Sequence, residues 1–126
     1  MPMPRRSPQF YDEVTDSALA AYLKRIVRIS LLPKERELEL AKRIQEGDEK
    51  PLRELVEANL RFVVKVAMHY QGCGLSLLDL INEGNLGLLE AGRRFRPEYS
   101  VKFITYAVWW IRQAIMQALA RGSGAM

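Results

Sequence analysis

Residues 76–92, SLLDLINEGNLGLLEAG, decide the fold that we predict for this chain. After Ser76, a residue type that caps helices well, apolar residues recur at helical spacing. The residues that share the apolar side are Leu77, Leu80, Ile81, Leu88 and Ala91. Gly84 and Gly87 lie on that side as well. A glycine inside a helix costs about 1 kcal/mol relative to alanine, so we expect a second helix to approach closely at this pair.

The remaining sequence also has helical periodicity, and it lacks both the alternation of strands and an internal repeat. We predict further helices over residues 18–29, 34–46, 49–70 and 101–120. Asp16 or Ser17 is suited to cap the first, Gly47 to end the second, and Asp48 to cap the third. The expected fold is all-α: a compact bundle of about five helices over residues 16–121, with a flexible N-terminal arm at 1–15. Residues 122–126 are expected to form a flexible tail or an engineered remnant.

Composition excludes several classes of protein. The 126 residues suit one domain, and no apolar run approaches the ~20 residues that span a bilayer. The start MPMPRRSPQF lacks the apolar stretch of a signal peptide, so we expect a cytoplasmic protein with no membrane contact. The single cysteine, Cys73, and the single histidine, His69, offer neither a disulfide nor a metal cluster. With no phosphate-binding glycine loop either, we expect no cofactor and no enzymatic activity.

The last predicted helix contains FITYAVWWIRQA, residues 103–114, and has two different faces. At about 100° per residue, one half is wholly aliphatic and forms a complete core face. The other half carries Tyr106, Trp109 and Trp110 among arginine and glutamine residues, with Phe103 at its border. One interpretation is that another segment covers these rings. The other, which we favour because basic residues surround them, is a surface that stacks unpaired bases beside a phosphate track.

The outer half of the 76–92 helix has a different composition. It combines acids and amides with exposed leucines, which suits a protein partner that has a basic rim and an apolar centre. Two structural interpretations remain open. Asp79 follows Ser76 by three residues and can complete a capping box, and the leucines can pack under another helix.

These segments together resemble a known family. NLRFVVKVAMHYQGCGLSLLDLINEGNLGLLEAGRRF, residues 59–95, and VKFITYAVWWIRQAI, residues 101–115, are similar to region 2 of the bacterial primary-type sigma factors of the sigma-70 family. The upstream segment YLKRIVRISLLPKERELELAKRIQEGD resembles region 1.2. The resemblance extends over about residues 16–121. It implies two partners, RNA polymerase core and promoter DNA, and we expect a monomer when the chain is free.

The resemblance implies that the aromatic helix recognises the −10 promoter element and holds its melted non-template strand. Phe103, Thr105 and Tyr106 match residues that line the pocket for the flipped adenine. Trp109 and Trp110 match the tryptophan pair at the junction between double and single strand. The remaining matches are Gln113 for the last upstream base pair, Lys102 and Arg112 for phosphates, and Asn59 and Arg61 for a second flipped base downstream.

The 76–92 helix corresponds to the family's docking element for the clamp helices of the largest polymerase subunit. The residues that match this contact are Asp79, Asn82, Glu83, Asn85 and Leu89. An alternative function is a polymerase-docking module whose DNA face is idle or masked by an anti-sigma partner. Intact Trp109, Trp110 and Gln113 favour promoter recognition over this alternative.

Three features depart from the family pattern. Val101 stands where many members carry an aromatic residue, Met116 replaces a small polar residue near Gln113, and Glu98 replaces a basic residue in the connector RPEYS. The exact −10 preference therefore stays open, as does the choice between a housekeeping and an alternative member. Family members also continue into domains that read the −35 element, so we expect a truncated member without that recognition.

Overall fold

The computed structural model describes residues 8–122, with side chains from residue 17 onward. Six α-helices follow one another, and no strand occurs within this range. The helices are α1 (Pro8–Ile26), α2 (Lys34–Gln45), α3 (Lys50–Glu57), α4 (Leu60–Met68), α5 (Leu77–Arg94) and α6 (Phe103–Gly122). A 3-10 turn, Pro97–Tyr99, joins α5 to α6. The predicted all-α fold is confirmed.

The predicted start of the first helix was wrong. We expected a cap at Asp16 or Ser17, but α1 begins at Pro8, so residues 8–15 of the predicted arm are helical. Residues 1–7 and 123–126, on which the rest of the predicted arm and tail falls, lie outside the described residues.

The predicted signals at Gly47 and Ser76 are present, whereas the cap position of α3 is Glu49, one residue after the predicted Asp48, and its side chain makes no capping bond. Gly47 adopts the left-handed φ of 98° just beyond α2, as expected for a glycine that terminates a helix. The Asp48 carboxylate accepts the Lys50 N–H at 3.0 Å at the start of α3. Ser76 Oγ accepts the Asp79 N–H at 3.1 Å at the start of α5.

The predicted third helix, residues 49–70, is broken into α3 and α4 at Ala58 and Asn59. The Asn59 side chain explains the break: its Nδ2 donates to the Leu55 carbonyl at 2.8 Å. The Asn59 backbone N–H donates instead to the Val56 carbonyl at 3.0 Å. Asparagine side chains compete for backbone acceptors in this way, and here the competition ends one helix before the next begins.

The close approach predicted at the two glycines of α5 is present, to α4 and α6 at Gly84 and to α6 at Gly87. A Cβ built at Gly84 would lie 2.7 Å from Cγ1 of Val63 and 3.3 Å from Cγ2 of Ile111. One built at Gly87 would lie 2.8 Å from the carbonyl carbon of Trp110 and would also overlap its oxygen. The backbone of α6 therefore rests directly on α5 at Gly87.

The hydrophobic core lies between α5, α6, α4, α3 and α2. It contains fully buried aliphatic side chains and two fully buried rings, Phe95 and Phe103. Helix α1 contributes Ile26, 3% exposed, and packs Leu19 and Tyr22 against the cluster. No helix between residues 8 and 122 is both long and apolar enough to cross a membrane.

Candidate functional site

Phe103 is a core residue, and the predicted position at the border of the outer face was wrong. Its side chain is 0% exposed and packs edge-on against Phe95 with ring centroids 5.2 Å apart. Its backbone N–H, the first of α6, donates to Oε1 of the buried Glu37 at 3.1 Å. In this conformation Phe103 supports the site from below and cannot touch a ligand.

The other three aromatic rings of α6 are exposed to different degrees. Trp109 is 57% exposed, so its predicted outward orientation is confirmed. Its ring contacts Trp110 edge-on, with centroids 5.0 Å apart. Tyr106 and Trp110 are half-buried and also touch the core cluster. The rings are thus supported from inside and partly accessible from outside, and the interpretation that they stack unpaired bases stays a prediction.

A cleft of about 340 Å³ lies where the start of α6 meets the end of α5. We call it the arginine cleft, and it is lined by Gln45, Arg93, Arg94, Arg96, Tyr99, Tyr106 and Trp110. The Arg94 guanidinium lies 4.9 Å from the centre of the Trp110 ring and bonds to Glu90 at 2.6 Å. This hydrogen bond raises the pKa of Arg94 above its ordinary value. Arg94 therefore keeps its positive charge at any physiological pH.

A second depression, the α5–α6 groove, has a volume of about 320 Å³. Its lining residues are Glu83, Leu86, Gly87, Glu90, Trp109, Trp110, Gln113, Ala114, Gln117 and Arg121. Leu86 is 61% exposed beside Trp109, and Arg121 pairs with Glu83 across the groove at 3.6 Å. Gln113 and the tryptophan pair thus share one groove with Glu83, although the sequence assigned them to different faces.

The predicted docking residues of α5 do not all lie on one open surface. Asp79 and Asn82 are exposed and line a shallow depression together with Glu83. Asn85 faces α1 instead, where its Nδ2 donates to the Tyr22 hydroxyl at 3.1 Å. Its Oδ1 is buried without a partner. The fifth residue, Leu89, is half-buried.

A small cavity of about 70 Å³ lies beneath the break between α3 and α4. Its walls are Leu31, Leu32, Glu37, Ala58, Asn59, Phe62, Lys102 and Ile104. Asn59 is only 3% exposed here, and Lys102 Nζ donates to the Leu32 carbonyl at 3.2 Å. Arg61 lines a neighbouring depression of about 190 Å³ and donates to the Ile29 carbonyl at 3.3 Å.

Several site residues were missed by the sequence analysis. Glu37 and Leu32 join Asn59 only through tertiary packing, and nothing in their local sequence marks them. Tyr99 was part of a connector, although an aromatic residue beside three arginines is a usable signal. Thr105 and Arg112, both predicted to contact DNA, are exposed on α6. His69 and Cys73 are also exposed, and residues 17–122 contain no group of side chains arranged to hold a metal.

Comparison with known proteins identifies the family. The Sigma-70 region 2 family matches residues 55–124, more than half of the chain, and the Sigma-70 factor region 1.2 family matches residues 17–50. RNA polymerase sigma factor SigA from a Bacillus species is 56% identical over 99 residues, which are 79% of this chain and 26% of that relative. SigA from Clostridium acetobutylicum is 50% identical over 105 residues, or 83% of this chain and 28% of the relative.

The chain therefore spans about a quarter of the length of these curated relatives. The two family matches also divide it in the way that the sequence resemblance predicts, with region 1.2 before region 2. From these matches and from the helices that carry them, we conclude that this chain belongs to the sigma-70 family of RNA polymerase sigma factors and contains its regions 1.2 and 2.

Proposed function

We propose that this chain docks on RNA polymerase through α5 and recognises and melts the −10 promoter element with α6, by capturing flipped non-template bases during transcription initiation. The observation that carries the proposal is the arginine cleft, in which three arginines surround Tyr106 and Trp110. Cationic side chains attract the phosphates of a single strand, while the aromatic rings stack on its bases.

The energetics of this function need no fuel molecule. Extruding a base from the duplex costs a few kcal/mol, and each aromatic stack returns about 1–3 kcal/mol. Trp109 projects next to the cleft and is well placed to fill the gap that a melted base pair leaves. Only a base that stacks and forms hydrogen bonds in the pocket offsets the cost of its extrusion from the duplex. This difference between bases produces the sequence preference.

The cavity at Asn59 supports a second capture site further downstream. Its wall combines a buried amide, the buried carboxylate of Glu37 and the ring of Phe62, which is suitable chemistry for one edge and one face of a base. The cavity, about 70 Å³, has roughly a fifth of the volume of the arginine cleft, about 340 Å³. Binding a base there requires it to open, and the bond from Lys102 to the Leu32 carbonyl is the contact that has to break.

For the polymerase contact we propose the edge of α5 that carries the exposed Asp79 and Asn82 and the half-buried Glu83. Glu83→Lys reverses one of its charges and should abolish binding to polymerase core. Glu83→Gln removes the charge without reversing it and should weaken binding less. Asn85, already bonded to Tyr22, contributes to this surface only if α1 moves.

The test uses fluorescence anisotropy with labelled single-stranded oligonucleotides, with and without polymerase core. One oligonucleotide carries a −10-like non-template sequence and the other carries the same bases scrambled. We expect preference for the −10-like strand, lost in Trp109→Ala. Trp109 is exposed, so its removal should not unfold the domain. Met68→Ala is the matched control, because Met68 is also more than half exposed but lies on α4.

Equal binding to both oligonucleotides, or no effect of Trp109→Ala, would contradict promoter recognition. The alternative would then hold: a polymerase-docking module whose DNA face is idle or covered by an anti-sigma partner. Under both functions Glu83→Lys should abolish binding to polymerase core, so this variant tests docking independently of DNA.

A further inference from the structure

The 3-10 turn between α5 and α6 places a further aromatic ring at the edge of the arginine cleft. Tyr99 ends this turn, and its N–H donates to the Arg96 carbonyl at 3.1 Å. Its ring lies 5.2 Å from Tyr106, tilted by 42°, and 6.0 Å from Phe95 in an edge-on contact. The side chain remains 42% exposed. Tyr99 is thus supported on one side by the protein and open on another.

The backbone after Tyr99 is held in an unusual conformation. Ser100 has a left-handed φ of 55°, and it is the one non-glycine residue with positive φ in the described part of the chain. Its carbonyl accepts a hydrogen bond from Lys34 Nζ at 3.4 Å, and its hydroxyl donates to the Glu98 carbonyl at 3.4 Å. Non-glycine residues keep this conformation only where surrounding contacts impose it, and such positions cluster at functional sites. Together with the ring contacts to Phe95 and Tyr106, these contacts support the position of Tyr99 at the edge of the cleft.

The charges beside Tyr99 differ in how tightly they are bound. Arg94 is fixed between Glu90 and Trp110. Arg96 approaches Glu98 at 3.8 Å, with both side chains more than half exposed, and an exposed pair of this kind contributes little. Arg93 is exposed as well. Arg93 and Arg96 can therefore turn toward a phosphate without losing a strong contact.

We propose that Tyr99 stacks on one unpaired base of single-stranded DNA, and that Arg93 and Arg96 neutralise the phosphates next to that base. This inference rests on the proposed function and adds a residue to its binding surface. The cleft volume of about 340 Å³ lies at the lower end of the range for small-ligand sites, which suits one nucleotide rather than a longer segment. With Tyr99 beside Tyr106, the stacking surface is complete although position 101 is a valine.

A fluorescent base analogue identifies which base of the strand stacks on Tyr99. Single-stranded −10-like oligonucleotides, each with 2-aminopurine at a different position, are bound to the 126-residue chain in the presence of polymerase core. Stacking on an aromatic ring quenches this probe. We expect Tyr99→Leu to restore the fluorescence at one position and to weaken binding by about five- to 150-fold, the range for loss of one base stack. Leucine keeps the apolar contact with Phe95, so the turn should stay folded.

Tyr99→Phe is the conservative control, because phenylalanine keeps the ring and loses the hydroxyl. It should bind within about twofold of the unsubstituted chain. If Tyr99→Phe is as weak as Tyr99→Leu, or if Tyr99→Leu changes neither affinity nor fluorescence at any position, the stacking role is wrong. Trp109→Ala, measured in parallel, separates the two proposals. A loss with Trp109→Ala alone overturns only the role of Tyr99, whereas no loss with either variant overturns the proposed function as well.

Discussion

Replacing Gly87 by alanine tests the contact on which the whole site depends. The added Cβ would meet the carbonyl group of Trp110, at 2.8 Å from its carbon, and Cβ of Ala114 at 3.0 Å. The carbonyl carbon and oxygen of Trp110 belong to the α6 backbone, which cannot rotate away as a side chain does. Relief therefore requires α6 to move as a unit away from α5.

The expected magnitude follows from two opposing terms. Alanine is about 1 kcal/mol more favourable than glycine inside a helix. Overpacking a close-packed interior costs typically about 1–3 kcal/mol, and contact with backbone atoms favours the upper end. We therefore expect Gly87→Ala to reduce the free energy of unfolding by about 2 kcal/mol. For a domain of this size that lowers Tm by roughly 8 °C, at about 4 °C per kcal/mol.

Urea unfolding followed by circular dichroism measures this change directly, because a single small domain unfolds in one cooperative step. Gly92→Ala is the matched control on the same helix. Its Cβ would lie 2.6 Å from Cδ1 of Leu52, the end of a flexible side chain, so its net effect should stay within about 1 kcal/mol. A Gly87→Ala variant as stable as the unsubstituted chain would refute the backbone contact between α5 and α6.

Three further predictions concern other contacts. Glu37→Ala removes the acceptor of the buried Phe103 N–H and should lower the free energy of unfolding in urea by about 1–3 kcal/mol. Glu37→Gln keeps an acceptor and should lower it less. Equal losses in the two variants would contradict this hydrogen bond as the cause. The hydrogen bond from Arg36 lowers the pKa of Glu54 from its ordinary 4.5, so the pair stabilises the fold above that pH and the stabilisation is lost as pH falls through the lower folded-state pKa. Thermal unfolding between about pH 6 and pH 3 should therefore show a smaller acid-induced loss in Glu54→Gln, and an unchanged loss would exclude the pair as its source. Arg112→Ala should reduce the slope of log affinity against log salt, for a single-stranded −10-like oligonucleotide, by about 0.7; an unchanged slope would exclude a phosphate contact.

Local signals in the sequence predicted much of the helical framework. Ser76 and Gly47 act through their own backbone neighbourhood, so their roles at helix ends were predictable. Gly84 and Gly87 predicted a close approach. Glycine destabilises a helix interior, so its presence there indicates that a neighbouring element occupies the space of the missing side chain. The periodicity of α6 also placed its aliphatic half correctly.

The features that sequence reasoning missed depend on distant contacts. No proline or glycine marks the break between α3 and α4, which arises because the Asn59 side chain takes the acceptor of its own helix. A helical wheel placed Phe103 at the border of the outer face, since it contains no information about Glu37 and Phe95, which enclose the first turn of α6. The contact between Tyr99 and Tyr106 was also unpredictable, because it depends on the 3-10 turn in the connector.

The same limit applies to the candidate site. The sequence separated a docking helix from a base-reading helix, and both assignments remain predictions. Their meeting in the α5–α6 groove was not predictable, because Glu83 and Gln113 are thirty residues apart and belong to faces of different helices. The orientation of Asn85 toward Tyr22 likewise depends on where α1 packs.

The backbone contact at Gly87 has a consequence for how promoter preference changes. Under the proposed function, α5 fixes the chain on polymerase and α6 presents the groups that read DNA. Because Gly87 of α5 packs against the main chain of α6 at Trp110, the spacing between polymerase and the bound strand at this point does not depend on the outward-facing side chains of α6. Substitutions at Val101 or Met116 can then alter the preferred bases while the strand still enters polymerase along the same path. Variants with new promoter preferences should therefore be obtainable on this scaffold without redesigning its docking surface.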